Sequence, residues 1–266
     1  MDWEYRCTKP ADWKGSERRV CLTKEAVRMA EFGQPLRHNR LLALLPAADF
    51  ELFVPDLEHV VLPRGTTLQT TGEPIDYVYF LTGGIGSVVV TTPEGHQAEA
   101  GLFGWDGYVP TSAVTGVEIS PHDVTMQVAG DAGRMSYDAF RGWMELNKSF
   151  SKVMIRSIEG FAVQLAYTAV SNAVHDVNER LARWLLMCDD RLPINEIALT
   201  HEFIAIMLAV RRPSVTTSLH ILEGNGFIRA ERGIITIRNR AALEEFAQDA
   251  YGRPEQEYQR MMKDLF

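Results

Sequence analysis

Arg211 and Arg212 stand directly before Pro213, and close behind come Ser214, Thr216, Thr217 and His220, with no acidic side chain until Glu223. Guanidinium groups and short hydroxyls are donors that reach phosphate oxygens and the edges of bases in a major groove. Thr200 ahead of this run and Arg232 beyond it add a hydroxyl and a second cation. The chemistry on offer is recognition of an anionic polymer; none of these residues is set up to break a bond.

Charge is distributed to match. Residues 209–240 hold six arginines against Glu223 and Glu231, net +4 in a chain whose formal net charge is −8, which leaves −12 on the remainder. Such asymmetry suits a protein that turns one face to phosphates and repels them elsewhere. Periodicity alone leaves open a plainer reading, an α/β subdomain whose arginines are simply solvated.

Other chemistries find less support. Gly83-Gly84-Ile85-Gly86 lacks the third glycine of a dinucleotide fingerprint, and His201-Glu202 has no second histidine at zinc-protease spacing. There is no Gly-x-Ser-x-Gly elbow. Cys7, Cys21 and Cys188 are too few and scattered for a disulfide framework or a metal site, and His38, His59, His96 and His122 read as surface or hydrogen-bonded residues. The reading is a non-enzyme without metal or other cofactor. The longest apolar run is the eight residues 203–210, far short of a span, and the mixed charge of the first thirty residues does not read as a signal peptide, so the expected location is the cytoplasm.

The elements that must position the arginines follow from local rules. Thr200 can cap a short apolar helix over 201–208, and Ala209-Val210-Arg211 then makes a tight turn. Proline is tolerated only in a first turn, so the next helix begins at about Arg212 or Pro213. Val215, Leu219 and Leu222 form its buried stripe, leaving Arg212, Ser214, Thr216, Thr217 and His220 outside. Gly224-Asn225-Gly226 ends it, and residues 227–237 read as strand, turn, strand. This is a winged helix-turn-helix.

Upstream, brief β-rich runs at 60–62, 77–81, 87–90 and 124–128 are separated by Pro and Gly turns, which implies a barrel or sandwich. After Trp143 only Gly160 interrupts a long helical stretch. Met154, Ile158, Phe161, Leu165, Thr168, Asn172 and His175 recur at alternating intervals of four and three, the seam of a parallel two-helix dimer, unless that stripe packs on its own β-domain. Asp176 and Glu179 have capping-box spacing, which starts a new helix and a new domain. The fold class is therefore α+β: an irregular extension (1–33), an antiparallel, jelly-roll-like β-roll (34–142), a long dimerisation helix (143–175), a winged helix-turn-helix domain (176–250) and a tail with a candidate helix (251–266).

The order Leu199-Thr200, Ile204-Ala205, Arg211-Arg212-Pro213-Ser214-Val215, Leu219, Leu222-Glu223, Gly226-Phe227-Ile228 resembles the helix-turn-helix of the Crp/Fnr superfamily. Gly72-Glu73-Pro74-Ile75-Asp76-Tyr77-Val78-Tyr79-Phe80 and Gly83-Gly84 resemble that family's cyclic-nucleotide-type roll, and Asp176-Val177, Arg180-Leu181-Ala182 and Leu185-Leu186 its hinge and following helix. The resemblance implies a transcription regulator whose partners are double-stranded DNA, a second copy of itself and RNA polymerase, with no membrane involved. It places Arg212 on a guanine edge, Thr200 on phosphate, and Ser214, Thr216 and Thr217 on or beside the DNA face; by their charge and position Arg211, His220 and Arg232 complete the expected DNA-binding set. Pro213 and Thr217 stand where relatives often carry an acid and a second arginine, and Ala209 where a glycine is common. A protein scaffold whose C-terminal domain binds another protein is the competing function.

The resemblance also locates an effector pocket, and there the sequence departs. No Lys or Arg lies between Arg64 and Arg134, while eight acidic residues do. Gly104, Trp105, Asp106, Gly107 and Tyr108 occupy the phosphate turn, and Leu165 and Ala166 the helix positions facing the base. An unneutralised phosphate would be costly to bury there, so cyclic AMP is not the expected effector; the turn's backbone amides keep a weak anion nest open.

Overall fold

The computed structural model describes residues 35–263 and 265, so the expected extension over 1–33 lies outside the described residues. Two short helices, α1 (Arg40–Ala43) and α2 (Ala47–Phe53), lead into eight strands: β1 (Glu58–Leu62), β2 (Thr67–Gln69), β3 (Tyr77–Leu81), β4 (Ile85–Thr91), β5 (Gln97–Phe103), β6 (Tyr108–Val109), β7 (Asp123–Val128) and β8 (Gly130–Ser136). They form two antiparallel sheets, β1-β8-β3-β6 and β2-β7-β4-β5. Leu62, Leu81, Val88, Phe103, Val124 and Met126 fill the space between them.

Period-two alternation lets β3 serve two cores. Tyr79 and Leu81 enter the roll interior, whereas Val78 and Phe80 join Phe53, Phe140 and Phe150 in an aromatic cluster beneath the helices. Strand β8 was not anticipated, because its glycines read as a turn. Packing explains them: a Cβ on Gly130 would stand 2.1 Å from the Gly83 carbonyl oxygen.

The single long helix expected from 143 is broken. Helix α3 (Tyr137–Leu146) stops at Asn147, whose extended backbone and side chain, accepting from the Phe150 N–H at 2.7 Å, cap a separate α4 (Lys148–Val174). The hinge follows expectation: Asp176 and Glu179 form a full capping box at the head of α5 (Val177–Asp189). Then come β9 (Glu196–Ala198), α6 (His201–Met207), α7 (Arg212–Gly224), β10 (Ile228–Glu231), β11 (Ile234–Ile237), α8 (Arg240–Ala247) and α9 (Arg253–Lys263), the last realising the candidate tail helix. The sheet β10-β11-β9 is the wing. Among the described residues no helix is long and apolar enough to cross a membrane.

One core links the roll to the C-terminal domain. Leu181, Trp184, Leu185, Ile204, Val215, Leu219, Leu222 and Leu243 are buried in the same cluster as Ile85 and Leu102 of the roll.

Candidate nucleic-acid interface

Helix α6 begins where Thr200 accepts from the Phe203 N–H at 3.3 Å. Between α6 and α7 the backbone turns through Ala209 at φ +49°, a left-handed conformation that costs a Cβ-bearing residue about 1–2 kcal/mol. Pro213 sits in the first turn of α7, where its missing N–H is harmless. Val215, Leu219 and Leu222 are fully buried, so the opposite face is fixed outward.

That outward face matches expectation in part. Arg211, Arg212, Thr217 and His220 are exposed at or beside α7, Thr200 is exposed at the head of α6, and Arg232 is exposed at the wing turn, itself at φ +51°. Ser214 and Thr216 are half-buried. Thr216 is engaged with α6, its Oγ1 lying 3.0 Å from His201 Nδ1, while the Thr217 hydroxyl donates to its own helix at the Pro213 carbonyl. The hydroxyl row is thus narrower than the sequence suggests, and the arginines dominate the face.

One partner escaped sequence reasoning. The Arg212 guanidinium pairs with Glu202 across α6 and α7 at 2.8 Å, both side chains well exposed. The Glu202 carboxyl is held below the usual range by the backbone amide at the head of α6 and then by Arg212. The clue was an acid two residues after the capping Thr200.

The expected effector positions do not converge on one site. The turn Gly104–Tyr108 is closed by its own chain: the Gly104 N–H donates to the Asp106 carboxylate, the Trp105 indole donates to the Asp190 carbonyl at 2.9 Å, and Tyr108 is buried in the aromatic core. A Cβ on Gly104 would stand 2.6 Å from Arg191 Cβ, so the arginine stem packs directly on that glycine, while Asp106, Gly107 and Tyr108 line a cavity of about 230 Å³ with Arg40, Arg191 and Arg240. Leu165 lines a different space, a cavity of about 170 Å³ between the roll and α4 shared with Ser112, Ser120, His122, Ile158 and Phe161. Ala166 is exposed on α4. The open anion nest is therefore replaced by an internal ion pair, and no lysine or arginine lines the cavity at Leu165.

The stripe expected on α4 is turned largely inward. Met154 is buried in its own core, Phe161 stacks on Phe103 with centroids 4.3 Å apart, and the Thr168 hydroxyl accepts from Arg183 at 3.0 Å. Ile158 and Leu165 are half-buried against the roll; of the expected stripe only Asn172 is exposed. The exposed stripe runs one residue later through Ile155, Glu159, Ala162, Ala166, Ala169 and Ala173, with Val170 beside it. The side chains of the expected stripe are drawn under the roll by the aromatic contact at Phe103.

Comparison with known proteins bears on the whole arrangement. Residues 179–246 match the Crp-like helix-turn-helix domain. A CRP-like cAMP-activated global transcriptional regulator of Mycobacterium tuberculosis is 25% identical over 198 residues, covering 70% of this chain and 87% of that protein. The C-terminal part of the chain thus carries a Crp-like helix-turn-helix domain. Carrying that domain, the chain is a DNA-binding transcription regulator. Its fold is shared with FixK2 of Bradyrhizobium japonicum (TM-score 0.60, 14% identity, 71% of this chain and 96% of that one). It is shared equally with a CRP-family regulator of Thermus thermophilus (TM-score 0.59, 21% identity, with the same coverage). The matched domain ends before α9.

Proposed function

We propose that this regulator binds a roughly palindromic operator as a homodimer and does so without cyclic AMP. The observation carrying the reading is α7 itself: its apolar stripe is sealed, and Arg211, Arg212, Thr217 and His220 stand exposed on the side that would enter a groove. In this reading Arg212 contacts a base edge, exchanging Glu202 for a guanine. Thr200 and Arg232 meet phosphates on either side, and Ser214 and Thr216 act from the margin.

Two copies would join through the apolar members of the exposed stripe of α4, Ile155, Ala162, Ala166, Ala169 and Ala173. These recur at intervals of seven, four, three and four, and their mostly small side chains permit close approach of two helices. Two recognition helices would then meet half-sites about one turn, ~34 Å, apart. The cavity at Leu165 has no lysine or arginine, and in the cavity beside Gly107 and Tyr108 Arg191 is already paired with Asp106 and Arg240 with Asp189 and Asp190; this supports an effector other than a cyclic nucleotide, since a buried phosphate needs a cationic partner. A promoter-bound dimer of this kind would act on RNA polymerase, in the cytoplasm.

Selection of bound duplexes from a random library, followed by titration of the recovered operator, tests the reading. Affinity should fall with salt at a log-log slope of about −0.9 per phosphate neutralised. A C-terminal domain built for protein recognition would show no such slope and select no sequence. Calorimetry showing micromolar cyclic AMP binding would overturn the effector statement, and a monomeric mass in solution at micromolar protein would overturn the dimer.

A further inference from the structure

The turn that closes on Arg191 is the centre of a set of polar links between the roll and the DNA-binding domain. Arg191 lies just beyond α5 with only 7% of its side chain exposed. Its Nε and Nη2 donate to the two carboxylate oxygens of Asp106 at 3.1 and 2.7 Å, and its Nη1 donates to the Met187 carbonyl at 2.7 Å. The backbone carbonyl of the same Asp106 accepts from the Tyr258 hydroxyl of α9 at 2.8 Å. One roll residue thus holds both the end of α5 and the C-terminal helix.

A second link lies deeper. Glu99 on β5 is fully enclosed, one carboxylate oxygen accepting from the Trp184 indole of α5 at 2.8 Å and the other from the Ser87 hydroxyl. Arg183, on the same helix, reaches Thr168 of α4. Around these sits the shared core containing Ile85 and Leu102. A bidentate guanidinium–carboxylate pair tolerates little angular error, and two anchors, one in the middle of α5 and one just past its end, leave that helix no hinge about the roll. The docked domain meanwhile leaves the outward residues of α7 exposed: α6 turns Phe203, Ile206 and Met207 toward Val89, Gln97 and Thr125 of the roll, and of the expected DNA-contacting set Thr200 alone lines the same cleft.

From this we infer that Asp106–Arg191 and Glu99–Trp184 are positioning residues that fix the recognition helix relative to α4, and thereby set the half-site spacing the dimer accepts. The inference rests on the dimeric reading above. A domain on a loose hinge could reach half-sites at several separations with similar affinity. A domain clamped at two points along α5 can reach only one, since each inserted base pair moves the second half-site by about 3.4 Å and rotates it by about a tenth of a turn.

The test uses the full chain and a panel of selected operators with the spacer changed by one or two base pairs in either direction. Wild-type protein should lose at least about tenfold in affinity for each step, roughly the cost of one lost base contact. Arg191→Ala should flatten that profile to within a few-fold while retaining the half-site sequence preference; Arg191→Lys should restore part of it. Trp184→Phe keeps an aromatic ring and removes the N–H to Glu99, so it serves as the second variant if Arg191→Ala fails to fold, and it too should broaden spacer tolerance. An unchanged spacer profile in folded, dimeric variants overturns the inference. A wild-type protein that binds single half-sites as a monomer instead overturns the dimeric reading, which mass measurement on the complexes distinguishes.

Discussion

Two arginine–carboxylate pairs of nearly equal length sit in opposite surroundings. Arg212 and Glu202 meet at 2.8 Å with 64% and 59% of their side chains exposed, whereas Arg191 and Asp106 meet at 2.7 Å with 7% and 13% exposed. Contact distance says nothing about role. The exposed pair is screened by water and salt, so DNA can replace it at little cost. The buried pair has already given up its hydration, and removing one partner strands the other. In the proposed reading the first is a rest position for a residue that contacts DNA; the second is part of the frame.

Perturbing each pair breaks or sharpens that contrast. The largest effect is expected for Arg191→Ala, which leaves Asp106 buried without its cation and should cost about 3–5 kcal/mol of stability, read from urea unfolding. A loss below about 1 kcal/mol would place the pair with the exposed ones.

Glu99 supplies a pH signature for the same frame. Burial, opposed by hydrogen bonds from Ser87 and Trp184 and by the charges of Arg183 and Arg191, pushes its carboxyl up to about 7 from 4.5. Between those values the folded protein retains a proton that the unfolded chain has released. Stability should therefore be fuller near pH 4.5, fall by about 3 kcal/mol as pH rises to 7, and level off above it, superposed on the other titrations. Comparing unfolding free energies of wild type and Glu99→Gln across this interval isolates the slope, which the variant should lack.

At the exposed pair the expectation reverses. Arg212→Ala should weaken operator binding by about 1–3 kcal/mol and relax selectivity at one base pair, with the unfolding midpoint essentially in place. A shift in stability without a change in sequence preference would move Arg212 into the frame. The smallest effect is at the turn between α6 and α7. Replacing Ala209, at φ +49°, by glycine relieves a left-handed strain partly offset by a more flexible unfolded chain, for a net gain of about 0.5–1 kcal/mol in thermal unfolding.

The two regions also differ in how far the sequence reveals them. The recognition helix is legible because local rules define it: Pro213 marks its start, the spacing of Val215, Leu219 and Leu222 fixes its buried side, and Thr200 caps its neighbour. The hinge capping box at Asp176 is legible for the same reason. What tertiary packing decides is not. The glycines of β8 look like a turn until the Gly83 carbonyl is seen against Gly130, and the face of α4 given to the roll is selected by Phe161 meeting Phe103, which shifts the free stripe by one residue. Arg191 carries no local mark. Its only trace is complementary: an aspartate at 106 in a turn without any nearby lysine or arginine in sequence, and an arginine some eighty residues on that could answer it.

The core shared by Ile85, Leu102 and the helices after Asp176 bears on how this regulator can be dissected in the laboratory. A fragment starting at the capping box would carry the whole helix-turn-helix and wing, yet it would present Trp184, only 3% exposed in the intact chain, to solvent together with its severed indole bond to Glu99. Such an excised piece would tend to self-associate through that wet apolar face.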